Sequence, residues 1–219
     1  MWNKNNHLPL SAGATDYFPV QRMVSATIPL EAGLFTLSLY HNSTDDKEHL
    51  AIVRGNVTSC QDVLVRVHSE CFTGDVLGSR RCDCGPQLNT ALEMIANENL
   101  GMVIYLRQEG RGIGLLQKLR AYNLQDEGYD TVEANVALGH QPDERAYDMA
   151  AWILRDWDVR SVRLLTNNPH KVDSLRDLGI RVSARIPLTA PLTPENTAYM
   201  RTKARRMNHQ LHQLLNGAI

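Results

Sequence analysis

Three cysteines fall within fourteen residues of this 219-residue chain: Cys71, Cys82 and Cys84. Three thiolates can hold a zinc ion and leave one tetrahedral position open. Water in such a position loses a proton near neutral pH, which is hydrolytic chemistry rather than structural stapling. The spacing is not the paired C-x-x-C of a zinc ribbon. A single free Cys is usually a small buried hydrophobe, and Cys60, in a turn-like stretch before a strand, fits that description. The trio beside Asp83, Gly85 and Arg80-Arg81 reads instead as a metal site.

Other segments carry chemistry of a different kind. His68-Ser69-Glu70 matches the H-x-E of zinc nucleobase deaminases. That pattern needs a later P-C-x-x-C, and Arg81-Cys82-Asp83-Cys84 stands there instead, so the match fails on its second half. The loop Arg107-Gln108-Glu109-Gly110-Arg111-Gly112-Ile113-Gly114 separates a strand from a helix. Glycines there let backbone N–H groups approach an anion, with Arg107 and Arg111 flanking it. It is neither a dinucleotide fingerprint nor a Walker A loop. Thr166-Asn167-Asn168-Pro169-His170-Lys171 follows a strand and precedes a helix, where open α/β sheets bind ligands. Asp143 and Arg145 read as the start of a helix. They are either ordinary first-turn residues or an arginine aimed at phosphate with a carboxylate beside it.

The elements that must position these groups follow from periodicity. Val24 to about Val67 reads as β structure, with clean alternation in Phe35–Tyr40 and Val63–Val67. Ala32-Gly33 and Asn42 to Lys47 are the expected turns. Beyond the cysteines, helix and strand alternate. A helix through Leu88, Ala91, Leu92 and Ile95 should stop near Gly101, followed by a buried strand Met102–Leu106 and a helix from about Leu115 to Gln125. Pro142-Asp143-Glu144 carries helix-start signals. Val162–Thr166 reads as a strand, Pro169–Leu178 as a helix, Ile180–Ile186 as the last strand. Thr193-Pro194-Glu195 should open a final helix whose stripe of Met200, Ala204, Met207, Leu211 and Leu215 packs on the core or on a second subunit. The expected fold is α/β: a mixed β-sheet flanked by helices, with an antiparallel N-terminal part. Residues 1–20 read as a loose tail and 21–219 as one domain.

Composition narrows the classes. The net charge is −1, so no global basic field attracts nucleic acid. No apolar run is long enough to cross a membrane. Met1 to Leu10 lacks the apolar run of a signal peptide, which makes a cytoplasmic location the expectation. Four Cys in a reducing compartment favour metal or chemistry over disulfides.

Taken in order, Arg66-Val67-His68-Ser69-Glu70-Cys71, Arg81-Cys82-Asp83-Cys84-Gly85, Arg107-Gln108-Glu109-Gly110-Arg111, Tyr129-Asp130-Thr131-Val132-Glu133-Ala134-Asn135, Asp143-Glu144-Arg145 and Leu164-Leu165-Thr166-Asn167-Asn168-Pro169 resemble GTP cyclohydrolase II. The resemblance spans roughly residues 60 to 205. It implies one Zn²⁺ per subunit on Cys71, Cys82 and Cys84, and Mg²⁺ accompanying the triphosphate. GTP contacts are implied for Arg66, Val67, His68, Ser69, Glu70, Gln87, Glu109, Gly110, Arg111, Thr131, Thr166 and Lys171. Asp143 is implied as proton acceptor, Arg145 as nucleophile and Tyr122 as a neighbour of the reacting base. A homodimer is implied too.

The implied reaction hydrolyses GTP to a diaminopyrimidine ribosyl phosphate, formate and pyrophosphate, the first step of riboflavin biosynthesis. Arginine stays protonated at physiological pH, so Arg145 could equally clamp phosphate charge while water attacks. Two other classes stay open: a cyclohydrolase that stops at the formamidopyrimidine, and a non-catalytic GTP-binding zinc protein.

Overall fold

The computed structural model describes residues 20–207 and 209–211. The expected N-terminal tail therefore lies outside the described residues, except that Val20 already begins the first strand. The region expected to be β holds four strands: β1 (Val20–Leu30), β2 (Gly33–Asn42), β3 (Glu48–Arg54) and β4 (Val63–Ser69). The chain continues through α1 (Phe72–Asp75), α2 (Cys84–Glu98) and β5 (Gly101–Leu106). A 3₁₀ turn over Glu109–Gly112 leads to α3 (Gly114–Asp126) and α4 (Thr131–Ala137). The last elements are α5 (Asp148–Asp156), β6 (Val162–Leu165), α6 (Pro169–Asp177), β7 (Val182–Ile186) and α7 (Thr197–Arg206).

The seven strands of the described residues form one sheet in the order β1-β2-β3-β5-β4-β6-β7. β1, β2, β3 and β5 pair antiparallel. β5, β4, β6 and β7 pair parallel. The sheet is thus mixed, with an antiparallel N-terminal wing, as the sequence leads one to expect. Parallel neighbours require a helical crossover, and α2 makes the one between β4 and β5.

β4 shows why the site lies where it does. Alternation sends Val63, Val65 and Val67 to one face and Leu64, Arg66 and His68 to the other. The valines join Met102, Ile104, Ile153 and Leu154 in a core beneath α5 and α6. Leu64 joins Ala91, Ile95, Val103 and Leu165 in a second core beneath α2. Toward the strand's carboxyl end the second face turns polar, with Arg66 and His68 still buried. Buried polar groups need partners, so this end of the sheet demands a polar site. α2 stops at Asn99, which adopts the left-handed conformation of a C-cap (φ 54°) just before Gly101.

Two expectations need correction. Residues 142–147 are not helical; α5 begins only at Asp148. Pro142 with two acids is a fair helix start, but tertiary hydrogen bonds win. Glu144 N–H donates to the Arg111 carbonyl and Ala146 N–H to Gln108 Oε1, holding the segment against the Gly-rich loop. The final helix starts at Thr197 rather than near Thr193; Thr193 and Asn196 form a mutually bonded turn just before it. Met200 and Leu211 are buried within the chain, which fits packing on the chain's own core; Leu215 lies outside the described residues. Two helices have no counterpart in the sequence expectations: the single turn α1 and α4, capped by Asp130, which accepts from Val132 and Glu133 N–H while Glu133 bonds back to the Asp130 N–H. That D-x-x-E box was legible in the sequence.

Candidate active site

A cleft opens at the carboxyl ends of β4, β5 and β6, walled by α2, α3 and α7. Of the residues singled out from sequence, Arg66, His68, Ser69, Glu70, Cys71, Cys82, Cys84, Gln87, Glu109, Gly110, Arg111, Tyr122, Thr131, Arg145, Thr166 and Lys171 all line it. Two do not. Val67 points its side chain into the core, and its carbonyl accepts from Lys171 Nζ at 2.8 Å. Asp143 sits behind Arg145, its carboxylate bonded to the guanidinium. Arg107, expected to flank an anion, turns away and pairs with Glu70 at 3.0 Å.

The metal corner is local. Cys71 ends the loop after β4, and Cys82 and Cys84 bracket the start of α2. Their sulfur atoms lie within 4.8 Å of one another, with 3.6 Å between Cys71 and Cys82. Tetrahedral zinc with bonds of about 2.3 Å places its sulfurs about 3.8 Å apart, so the trio fits the ion. Gly74 makes the approach possible: a Cβ there would stand 2.8 Å from Cys82 Sγ and 3.0 Å from Cys71 Sγ.

The electrostatics suit a cation. Hydrogen bonds from Cys82 and Cys84, aided by Lys118, hold the Cys71 thiol far below its usual range despite burial. Cys82, bonded to Cys71, is pushed up to about 11. Cys84 is raised as well, through its bonds to Cys71 and Cys82 and through burial. A thiophilic dication would displace the remaining protons.

Asp75 braces this corner from below. Its carboxylate accepts from Cys71 N–H (2.9 Å), Tyr105 Oη (2.9 Å) and His68 Nε2 (3.1 Å). Burial lowers the His68 pKa, opposed by Asp75. Facing a carboxylate, Nε2 is the donating nitrogen, and the buried Nδ1 has no partner within the described residues.

The opposite corner collects cations from segments far apart in sequence. Arg66 donates to the Leu165 carbonyl and to Gln87 Oε1. Gln87 donates to Asp83, whose other oxygen takes Lys203 of α7. Lys171 is pushed well down in pKa by burial and by Arg66 and Arg145 beside it. Arg145 behaves differently: burial opposes its charge, but Tyr147 and the bonded Asp143 outweigh it, so its pKa rises. Asp143, despite burial, is held below the usual carboxylate range by Arg145. The cleft presents six cationic side chains and only two carboxylates, Glu70 and Glu109, among its described lining residues. Such an array is suited to a polyanion.

The Gly-rich loop closes one side. Arg111 holds a left-handed backbone conformation (φ 64°), unusual for a non-glycine and typical of functional sites. A Cβ on Gly112 would stand 2.9 Å from the Glu144 carbonyl, so the loop and the 142–146 strap need glycine there to pack. Glu109 is inward and accepts from Phe72 N–H, Gly110 N–H and Lys118.

Several lining or bracing residues have no role assigned from the sequence: Asp75, Asp83, Lys118, Tyr199, Lys203 and His209. Two signals were present. Asp83 lies between two candidate ligands, and Lys118 shares a helical face with Ala121 and Tyr122. Nothing local marks Tyr199, Lys203 or His209, which reach the cleft only because α7 folds back over it.

Residues 21–187 match the family model described as GTP cyclohydrolase II. The riboflavin biosynthesis protein RibBA of Bacillus subtilis (strain 168) is 54% identical over 194 residues, covering 88% of this chain and 49% of that protein. The monofunctional riboflavin biosynthesis protein RIBA 3, chloroplastic, of Arabidopsis thaliana is 53% identical over 191 residues, covering 87% of this chain and 38% of that protein. The chain thus spans about half the length, or less, of these relatives. A crystal structure of RibBX, a two-domain 3,4-dihydroxy-2-butanone 4-phosphate synthase from A. baumannii, aligns with 23% identity and a TM-score of 0.41, covering 78% of this chain and 40% of that one. That likeness is too loose to bear on fold or function. The match across residues 21–187, together with relatives above 50% identity, places this chain in the GTP cyclohydrolase II family.

Proposed function

We propose that the chain hydrolyses GTP, opening the guanine imidazole ring with release of formate and splitting off pyrophosphate, at the entry to riboflavin biosynthesis. The observation that carries this reading is the union, in one cleft, of a three-thiol metal corner with a buried excess of cations. Cys71, Cys82 and Cys84 would hold zinc, which supplies a Lewis acid and lowers the pKa of water toward neutrality.

The chain's own groups do the rest. Arg66, Arg111, Arg145 and Lys171 bind the triphosphate, a Mg²⁺ ion accompanying it. Glu70, Gln87 and Glu109 with Gly110 recognise the nucleoside, and Thr131 and Thr166 add hydroxyl contacts. Ser69 and the neutral His68 complete the wall beside the metal, and the Val67 carbonyl orients Lys171. Tyr122, whose phenol pKa burial raises, stays protonated to donate toward the base. Asp143 stays ionised and fixes Arg145. Because Arg145 is held charged, it acts as a clamp on phosphate rather than as a nucleophile.

Residues 21–219 are taken as one domain working in the cytoplasm as a homodimer.

The test is to incubate GTP, Mg²⁺ and zinc-loaded protein and to assay formate and pyrophosphate together. Release of both is expected. Tight GTP binding without formate would establish a non-catalytic zinc protein instead. For Arg145, the Arg145→Lys variant should retain pyrophosphate release with no phosphoramidate adduct on the chain.

A further inference from the structure

Lys118 has no role in the reading above, yet it is one of the best-connected side chains in the cleft. It lies on the second turn of α3 and is 9% exposed. Its Nζ stands 3.1 Å from Cys71 Sγ and 2.8 Å from Glu109 Oε1. Burying an ammonium group is costly unless it is paired and hydrogen-bonded. Glu109 supplies one charge, but that carboxylate also accepts from Phe72 N–H at 2.6 Å and Gly110 N–H at 2.8 Å. A carboxylate with those donors does not need a lysine, whereas the thiol corner does. Three thiolates around a dication leave one net negative charge in a buried site, and nothing but Lys118 among the described cations donates to any of the three sulfurs.

We propose that Lys118 is a positioning residue for the metal centre. Its ammonium offsets the net charge of the three-thiolate site, and its hydrogen bond fixes Cys71 while tying the Glu109 loop to the same point. The inference rests on Cys71, Cys82 and Cys84 being the metal ligands, but not on the identity of the substrate. It makes α3 part of the metal site, although every ligand comes from the β4–α2 connection.

The experiment compares the full-length wild type with Lys118→Met, Lys118→Gln and Lys118→Arg. Zinc affinity is measured by competition with a chromophoric chelator, and the absorption spectrum is recorded after loading with Co²⁺. Lys118→Met should weaken zinc binding by about 10–100-fold, the usual cost of losing a group that supports a ligand. Its sulfur-to-cobalt charge-transfer band should move to longer wavelength, because a thiolate that loses a hydrogen bond is more easily oxidised. Lys118→Arg should recover both properties. Lys118→Gln, which keeps a donor and guards against a methionine variant that does not fold, should lose affinity with a smaller band shift. Unchanged zinc affinity and an unchanged cobalt spectrum in the folded Met or Gln variant would overturn the proposal. Formate release from GTP by the wild type is scored separately. Its absence would refute the cyclohydrolase reading, while Lys118 would still stand or fall on the affinities and spectra.

Discussion

The two corners of the cleft are built in opposite ways. The metal corner is assembled by fourteen consecutive residues, with Gly74 making room and Asp75 tying the loop down. The cationic corner is assembled by tertiary structure: Arg66 from β4, Arg145 from the strap before α5, Lys171 from α6 and Lys203 from α7. The first is therefore a local motif whose failure should be all-or-none. The second is distributed, so single losses should be graded. Asp83 joins them, standing between two thiols in sequence and bonded through Gln87 to Arg66.

Cys82→Ser tests this contrast with the largest effect. Formate release should fall to background, while pyrophosphate release falls less. Equal loss of both would show the corners to be one unit. Next comes Arg145→Ala, which should lower pyrophosphate release by about 10²–10³-fold, the scale for removing one charge-stabilising donor, and leave zinc affinity unchanged. A variant that also lost zinc would contradict the separation.

Lys203→Met probes the bridge. It leaves the Asp83 carboxylate buried and unpaired, and breaking a buried pair costs about 3–5 kcal/mol, readable as a lower urea midpoint. A loss within about 0.5 kcal/mol, the scale of ordinary surface changes, would mean that α7 does not hold Asp83.

The mildest probe is pH, through His68 at the seam. Its folded pKa is depressed by burial, so below about 6.5 the unfolded chain binds a proton that the folded chain refuses. Stability should therefore fall as pH drops, with His68 contributing up to about 1.4 kcal/mol per pH unit. His68→Gln should flatten that slope; an unchanged slope would remove His68 from the account.

The same contrast explains what the sequence disclosed. The cysteine trio could be read directly because metal ligands need short-range spacing. The parallel half of the sheet could be read because the alternating Val63–Val67 and the apolar run Met102–Leu106 are separated by helical periodicity. Asp143 and Arg145 stand out as a motif, yet local signals point to a helix there, since they say nothing of the Arg111 carbonyl that captures Glu144. Lys203 and His209 were invisible, because α7 comes to the cleft from more than a hundred residues away and no local pattern encodes that return. Arg107 looked like an anion ligand by position alone, and only the neighbouring Glu70 decides otherwise.

The central claim is that both corners act on one molecule of GTP. A mass spectrum of GTP after incubation with zinc- and Mg²⁺-replete protein tests it most directly. The account predicts a diaminopyrimidine ribosyl monophosphate that has lost both the formyl carbon and pyrophosphate. Unaltered GTP, or a product still carrying its triphosphate, would contradict it.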